Sequence, residues 1–234
     1  MKCKKLILFS ILAIVFSCQN NDKEIYQLKS NSSFTKNETN EILKLLNQFD
    51  SEICKIEENE KGNVSECYQS FFERILKEVE NGDYNIGIDE SNQKKIMETL
   101  NPELRKEFWT EGRNIVNRQI PNSNSLEIFP DTFQTIYIGK GKYLDFLENE
   151  ISKTDLKAKQ YFEKFSFVMD ISPSVFADVV KNYKEYNIKD ERIRLLIAIH
   201  YLTLNDQNLK VKASYEELFS EVEKNLKRKI KNKY

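Results

Sequence analysis

The sequence predicts an all-α protein, an irregular multi-helix bundle with at most one small β-hairpin. Three observations lead to this fold class. Apolar residues recur three or four positions apart in several segments, helix-capping residues precede those segments, and the 234 residues include only 6 glycines and 4 prolines. A β-sandwich would need turn residues about every ten positions, so the sequence argues against one.

The first two predicted helices form a hairpin joined by the short polar loop 57–64. Thr35 and Glu38 form a capping box that starts the first helix, and the second runs from Ser65 to the stop signal Asn81-Gly82. Each helix carries one apolar stripe, as expected for packing on a core. The stripe residues are Ile42, Leu45, Leu46, Phe49, Ile53 and Ile56, then Tyr68, Phe71, Phe72, Ile75 and Val79.

Cys54 and Cys67 lie at the neck of this N-terminal helical hairpin. We predict a disulfide between them, because the bond would close a loop of about 14 residues and stabilise the fold by roughly 3 kcal/mol. Two free thiols or a metal-binding pair are the alternatives. The spacing is poor for zinc, since no histidine lies nearby.

Helix-start signals continue through the rest of the chain. Asn101-Pro102 and Ser172-Pro173 each combine an N-cap with a proline at the first helical position. Asp190 caps the apolar segment 191–204, which we expect to be the most buried helix. Ser214 and Glu217 form a second capping box, which predicts a separate last helix.

One stretch, residues 125–138, has strand character. It predicts a small β-hairpin with strands at 126–128 and 133–138, separated by Pro130-Asp131.

The first eighteen residues have the features of an export signal. Lys2, Lys4 and Lys5 precede the apolar stretch 6–17, which is shorter than the roughly 20 residues that span a bilayer. Its length suits the apolar region of a signal peptide. An ordinary signal peptide or an uncleaved anchor would also fit these two features.

Val15-Phe16-Ser17-Cys18 resembles the lipobox of bacterial lipoproteins. The resemblance covers residues 1–18 and implies that residues 1–17 are a signal peptide removed by cleavage. It also implies that Cys18 carries the lipid and anchors the protein to a membrane of the cell envelope. Gln19 replaces the aspartate that retains some lipoproteins in the inner membrane, which favours the outer membrane.

Three regions follow from this reading: the signal peptide 1–17, a flexible tether over residues 18–35, and a single helical domain over residues 36–234. Removal of the signal peptide leaves 33 basic and 37 acidic residues. Neither this balance nor the net charge of −1 for the whole chain indicates nucleic-acid binding.

Candidate chemical groups are few, and we predict no catalytic, metal or cofactor site. His200 is the sole histidine and lies in an apolar helix, where a core role is expected. The loop Gly139–Lys142 lacks phosphate-loop spacing, and Asn81–Asp89 lacks the ligand spacing of a calcium loop. We interpret both as ordinary loops.

The C-terminal segment holds a run of basic residues with no acidic one. It is a candidate contact surface for anionic lipid or polymer, although a solvated last helical turn is the favoured interpretation. Its members are Lys224, Lys227, Arg228, Lys229, Lys231 and Lys233.

The sequence therefore predicts a lipid-anchored envelope protein that is not an enzyme. It would act as a binding or scaffold module for an envelope protein or polymer. One alternative is an immunity or inhibitor lipoprotein that neutralises a toxin or hydrolase, and another is a carboxylate-dependent hydrolase.

Overall fold

The computed structural model describes residues 27–59, 62–81, 85–119 and 128–231, and within them the fold is mostly helical, as predicted. The helices are α1 (Lys36–Ile56), α2 (Val64–Glu80), α3 (Glu90–Met97), α4 (Pro102–Lys106), α5 (Lys142–Phe146), α6 (Ser152–Thr154), α7 (Leu156–Val168), α8 (Pro173–Lys181) and α9 (Glu191–Lys231). A π-helical turn, Leu147–Ile151, joins α5 to α6. Strands β1 (Trp109–Gln119) and β2 (Ile128–Ile138) form one antiparallel ribbon.

Several helices begin at the predicted caps. The Thr35 hydroxyl accepts from the Glu38 amide while the Glu38 carboxylate accepts from the Thr35 amide, which completes the capping box of α1. Asn101 caps α4 and Ser172 caps α8, each ahead of a proline. The structure thus confirms these helix starts. They could be predicted because local hydrogen bonds are enough to specify them.

The predicted disulfide between Cys54 and Cys67 is confirmed, with the two Cα atoms 4.9 Å apart. It joins the end of α1 to the start of α2. A buried polar contact extends this hairpin to α9: the Asp50 carboxylate accepts from the Tyr68 hydroxyl at 2.7 Å and from the Arg194 guanidinium at 3.1 Å. Three helices are thereby fixed to one another at the centre of the fold.

Helix α9 is the central element, and its N-terminal part contributes a run of buried residues to the core. Every apolar residue from Ile193 to Leu202 is fully buried, which confirms the prediction that segment 191–204 is the most buried one. The prediction of a separate last helix that starts at Ser214 is wrong, since α9 continues through that position to Lys231. No glycine or proline lies between Leu204 and Ser214, so nothing in the sequence interrupts the helix.

The ribbon is longer than the sequence predicted. Residues 128–138 form one strand that pairs with residues 109–119, with Trp109 opposite Ile138 and Asn117 opposite Pro130. Pro130 therefore lies within a strand and not in a turn. A two-stranded ribbon tolerates proline because each strand has an open edge where an amide needs no partner. The predicted strand residues 126 and 127 lie outside the described residues.

The packed structure begins before the predicted domain boundary at residue 36. Leu28 is fully buried, and the Phe34 ring packs on Phe108 and Phe146 with ring centres about 5.5 Å apart. The Leu28 amide donates to the Glu191 carboxylate at 2.9 Å. The segment predicted as tether thus joins the core from Leu28 onward, because Leu28 and Phe34 occupy buried positions.

No helix in the described part of the chain is long and apolar enough to cross a membrane.

Candidate functional site

A continuous groove runs between α3, α4, the base of the ribbon and α9. It consists of three adjoining cavities of about 630, 370 and 210 Å³ that share lining residues. We call it the ribbon groove. Its lining residues are Glu90, Gln93, Lys94, Met97, Glu98, Pro102, Arg105, Lys106, Trp109, Thr110, Glu111, Gln134, Thr135, Ile136, Asp206, Leu209 and Lys210.

Three consecutive polar residues of α9 hold the walls of the groove in place. Asn205 donates to the Gln93 side chain at 2.5 Å and to the Ile88 carbonyl at 2.8 Å. The Asp206 carboxylate accepts from the Thr135 hydroxyl and the Ile136 amide, and Gln207 donates to the Ile136 carbonyl. Asn205 therefore fixes the α3 side, while Asp206 and Gln207 fix the ribbon.

Trp109, the sole tryptophan of the chain, forms part of the floor of the groove. Its ring is only 5% exposed, and its indole N–H donates to the Thr203 hydroxyl at 2.9 Å. The neighbouring Phe108 is fully buried. Trp109 therefore offers no open aromatic face to the groove.

Arg105 lines both the largest and the smallest of the three cavities. Its guanidinium makes one long hydrogen bond, from Nη2 to the Leu100 carbonyl at 3.4 Å. Its Nε is buried and has no acceptor among the described residues. A guanidinium has five N–H donors, so most of the hydrogen-bonding capacity of Arg105 is unused within the described structure.

The other cations at the groove have carboxylate partners. The ammonium nitrogen of Lys94 lies 3.8 Å from a carboxylate oxygen of Glu98. The corresponding distance is 3.2 Å between Lys106 and Glu103 and 3.1 Å between Lys210 and Glu90. All three pairs are largely exposed, so they add little to stability and exchange readily for other partners. They form a mixed-charge rim around Arg105.

His200 lies in the core, as predicted. It is fully buried among aromatic rings, and its Nδ1 lies 3.2 Å from the Tyr161 hydroxyl. Burial lowers the pKa of His200 from 6.5 to about 3. The imidazole is therefore neutral at physiological pH and lies away from the groove residues.

The loop Gly139–Lys142 is already occupied by carboxylates of the chain itself. The Lys142 amide donates to the Glu107 carboxylate at 2.9 Å, and the Lys142 ammonium lies 2.6 Å from Glu38. A Cβ at Gly141 would lie 2.6 Å from the Glu107 carbonyl oxygen, so glycine is required by this close approach. The structure accounts for the sequence of this loop through contacts within the fold.

The segment Asn81–Asp89 is held by Arg74, which donates to the carbonyls of Asn85 and Ile86. Asp89 caps α3, and Gly87 adopts a φ of +87° that favours glycine. Residues 82–84 of this segment lie outside the described part. Within the described ranges, no group of three or more histidine, cysteine or acidic residues is placed to hold a metal ion.

Two sets of predicted residues are not described in full. Cys18 lies outside the described residues, as does Lys233. The other C-terminal basic residues lie on the last turns of α9, where the structure describes the backbone. The contact surface they could form therefore stays a prediction.

The groove was not predicted from the sequence. Asn205, Asp206 and Gln207 form a polar triplet directly after an apolar run, and this change in polarity within one helix was the available signal. Arg105 carried no signal, because an arginine near the end of a short helix usually complements the helix dipole.

Comparisons with known proteins leave these observations to stand alone: no family model matches the chain, and no curated protein or solved structure is significantly similar to it.

Proposed function

We propose that this protein is a lipid-anchored binding or scaffold module of the bacterial cell envelope, and that the ribbon groove holds its partner. The observation that carries the proposal is the groove: an open cavity of about 630 Å³ whose walls come from separate parts of the chain. Hydrogen bonds from α9 keep those walls in one arrangement. A preformed site of this kind binds without a large ordering cost.

The lipobox-like residues 15–18 support the membrane anchor. The position of the groove on α9 supports a role in contacting a partner. The chain enters the domain at Leu28, whose amide binds Glu191 at the start of α9. Asp206, at the groove, lies fifteen residues further along that helix, which is about 22 Å. The place where Leu28 joins the fold and the groove therefore lie at different points along α9.

Replacing Cys18 by alanine is expected to release the protein from membranes, because the lipid would have no attachment point. Fractionation of cells that express the wild type and the Cys18→Ala variant measures this directly. Metabolic labelling with palmitate is the second readout. If the variant stays in the membrane fraction and the wild type takes up no label, the lipoprotein assignment is wrong.

The partner can be sought by photocrosslinking in intact cells. A benzophenone amino acid is placed at Thr110, which is exposed at the groove. In the matched control it replaces Lys153, an exposed residue of α6 that is absent from the groove lining. We expect one discrete crosslinked species from position 110 and none from position 153.

Equal capture at both positions would contradict the groove as the contact site. Absence of capture, together with degradation of an envelope polymer by the purified domain, would favour the hydrolase alternative. Capture of a toxin from position 110 would favour the alternative in which this protein acts as an immunity protein.

A further inference from the structure

We propose that Arg105 binds a carboxylate of an acidic peptide segment in the partner, next to an apolar side chain of the same segment. This inference rests on the proposed function, because it names the chemistry of the ligand that the ribbon groove would take.

The unused donors of Arg105 carry the argument. One bond of 3.4 Å and a buried Nε without an acceptor leave the guanidinium poorly satisfied within the described structure. Buried donors are costly to leave without partners, so they usually have one in the functional state. A carboxylate matches the planar guanidinium with two parallel hydrogen bonds.

The other partly buried arginines whose side chains are described show the contrast. Arg74 contacts the carboxylates of Glu57 and Glu78. Arg192 is paired with Asp190 at 2.6 Å, and Arg194 with Asp50 at 3.1 Å. Each of these guanidinium groups has a carboxylate from the chain, whereas Arg105 has none within 4.0 Å among the described residues. Arg105 is therefore the exception among the partly buried arginines whose side chains are described.

The surroundings of Arg105 favour a peptide over a sugar polymer. Met97, Pro102 and Ile136 line the same cavity and present aliphatic surface next to the guanidinium. Sugars are usually held by stacking on an open aromatic face, and Trp109 offers no such face because it is 5% exposed. Aliphatic surface beside a cation suits an aliphatic side chain that neighbours an aspartate or glutamate.

Glu111 and Asp206 each line a cavity together with Arg105, and neither forms an ion pair with it among the described residues. The Asp206 carboxylate already accepts from Thr135 and from the Ile136 amide. Lys94 and Lys106 on the rim have only exposed pairs, so they remain able to attract an acidic segment at long range.

The sole tryptophan at the floor of the groove gives a direct assay. The mature chain from residue 18, carrying Cys18→Ser so that it is free of lipid, is titrated while Trp109 fluorescence is recorded. The probe is a capped peptide in which leucine and glutamate alternate, and its counterpart has glutamine in place of glutamate. We expect saturable binding of the acidic peptide and at least tenfold weaker binding of the neutral one.

Arg105→Gln is expected to weaken binding of the acidic peptide at least tenfold. Arg113→Gln, at an exposed arginine of β1 outside the groove lining, is the matched control and should leave the affinity unchanged. Arg105→Met guards against a folding defect: it should lose binding as well, while its melting temperature is no lower than that of the wild type. Binding should also weaken as salt concentration rises.

Equal affinity of the wild type and Arg105→Gln would overturn the inference. So would binding of a glucuronate oligosaccharide with no binding of the acidic peptide. If photocapture from Thr110 persists in Arg105→Gln cells, the inference fails while the proposed function stands. If capture from Thr110 fails but the purified chain binds the acidic peptide through Arg105, the carboxylate site stands and the envelope role fails.

Discussion

Replacing both Cys54 and Cys67 by alanine is expected to lower the free energy of unfolding by about 3 kcal/mol. The disulfide links residues 13 positions apart, and a crosslink of this loop length restricts the unfolded chain by that amount. Alanine is preferred to serine because Cys67 is fully buried, where a methyl group is tolerated better than a polar hydroxyl. Urea unfolding of the lipid-free mature chain measures the difference.

The reduced wild type provides the control. A reducing agent should destabilise the wild type by a similar amount and leave the double alanine variant unchanged. Peptide mapping without reductant should recover Cys54 joined to Cys67. Two alkylatable thiols in protein isolated from cells would contradict the prediction, as would equal stability of wild type and variant.

Acidification from pH 7 to pH 5 is expected to reduce stability by about 2 kcal/mol through His200 alone. Burial lowers the pKa of His200 from 6.5 to about 3. Between these values the unfolded chain binds a proton that the folded protein excludes, so stability is lost as the pH falls below 6.5. Each pH unit in this window contributes about 1.4 kcal/mol.

The His200→Gln variant isolates this contribution, because His200 is the only histidine. The variant is expected to be less stable at pH 7, so the comparison uses only the change between pH 7 and pH 5. That change should be about 2 kcal/mol smaller than in the wild type. Burial raises the pKa of Asp50, which acts in the opposite sense, and the subtraction removes it. A His200 pKa near 6.5, measured by NMR titration, would refute the prediction.

The helices and the disulfide could be predicted because their determinants are local. Thr35 and Glu38 satisfy each other within one turn, and the apolar stripes of α1 and α2 have the helical period. Cys54 and Cys67 are brought together by a hairpin that the sequence already indicates. These features need no knowledge of the rest of the fold.

The ribbon and the end of α9 were misjudged because distant contacts decide them. Strand β1 contains Gly112, Asn114 and Asn117, residues that usually mark turns. It is specified by pairing with β2, which in turn packs on α9. A capping box such as Ser214 and Glu217 starts a new helix only where the preceding chain is not already helical. The groove depends on α3, α4, the ribbon and α9 together, so no single segment could reveal it.

The burial of Leu28 limits how far the domain could reach from a lipid at Cys18, the attachment point proposed above. Nine residues lie between Cys18 and Leu28, and a fully extended chain over these ten residue-to-residue steps covers at most about 35 Å. A tether that ended at residue 35 would allow about 60 Å. For a domain anchored through Cys18 as proposed, packing Leu28 into the core shrinks the volume that the domain can explore by roughly a factor of five, since volume scales with the cube of the radius. Under the proposed anchoring, the local concentration of the domain at the membrane would rise by the same factor, which would favour partners held at that surface.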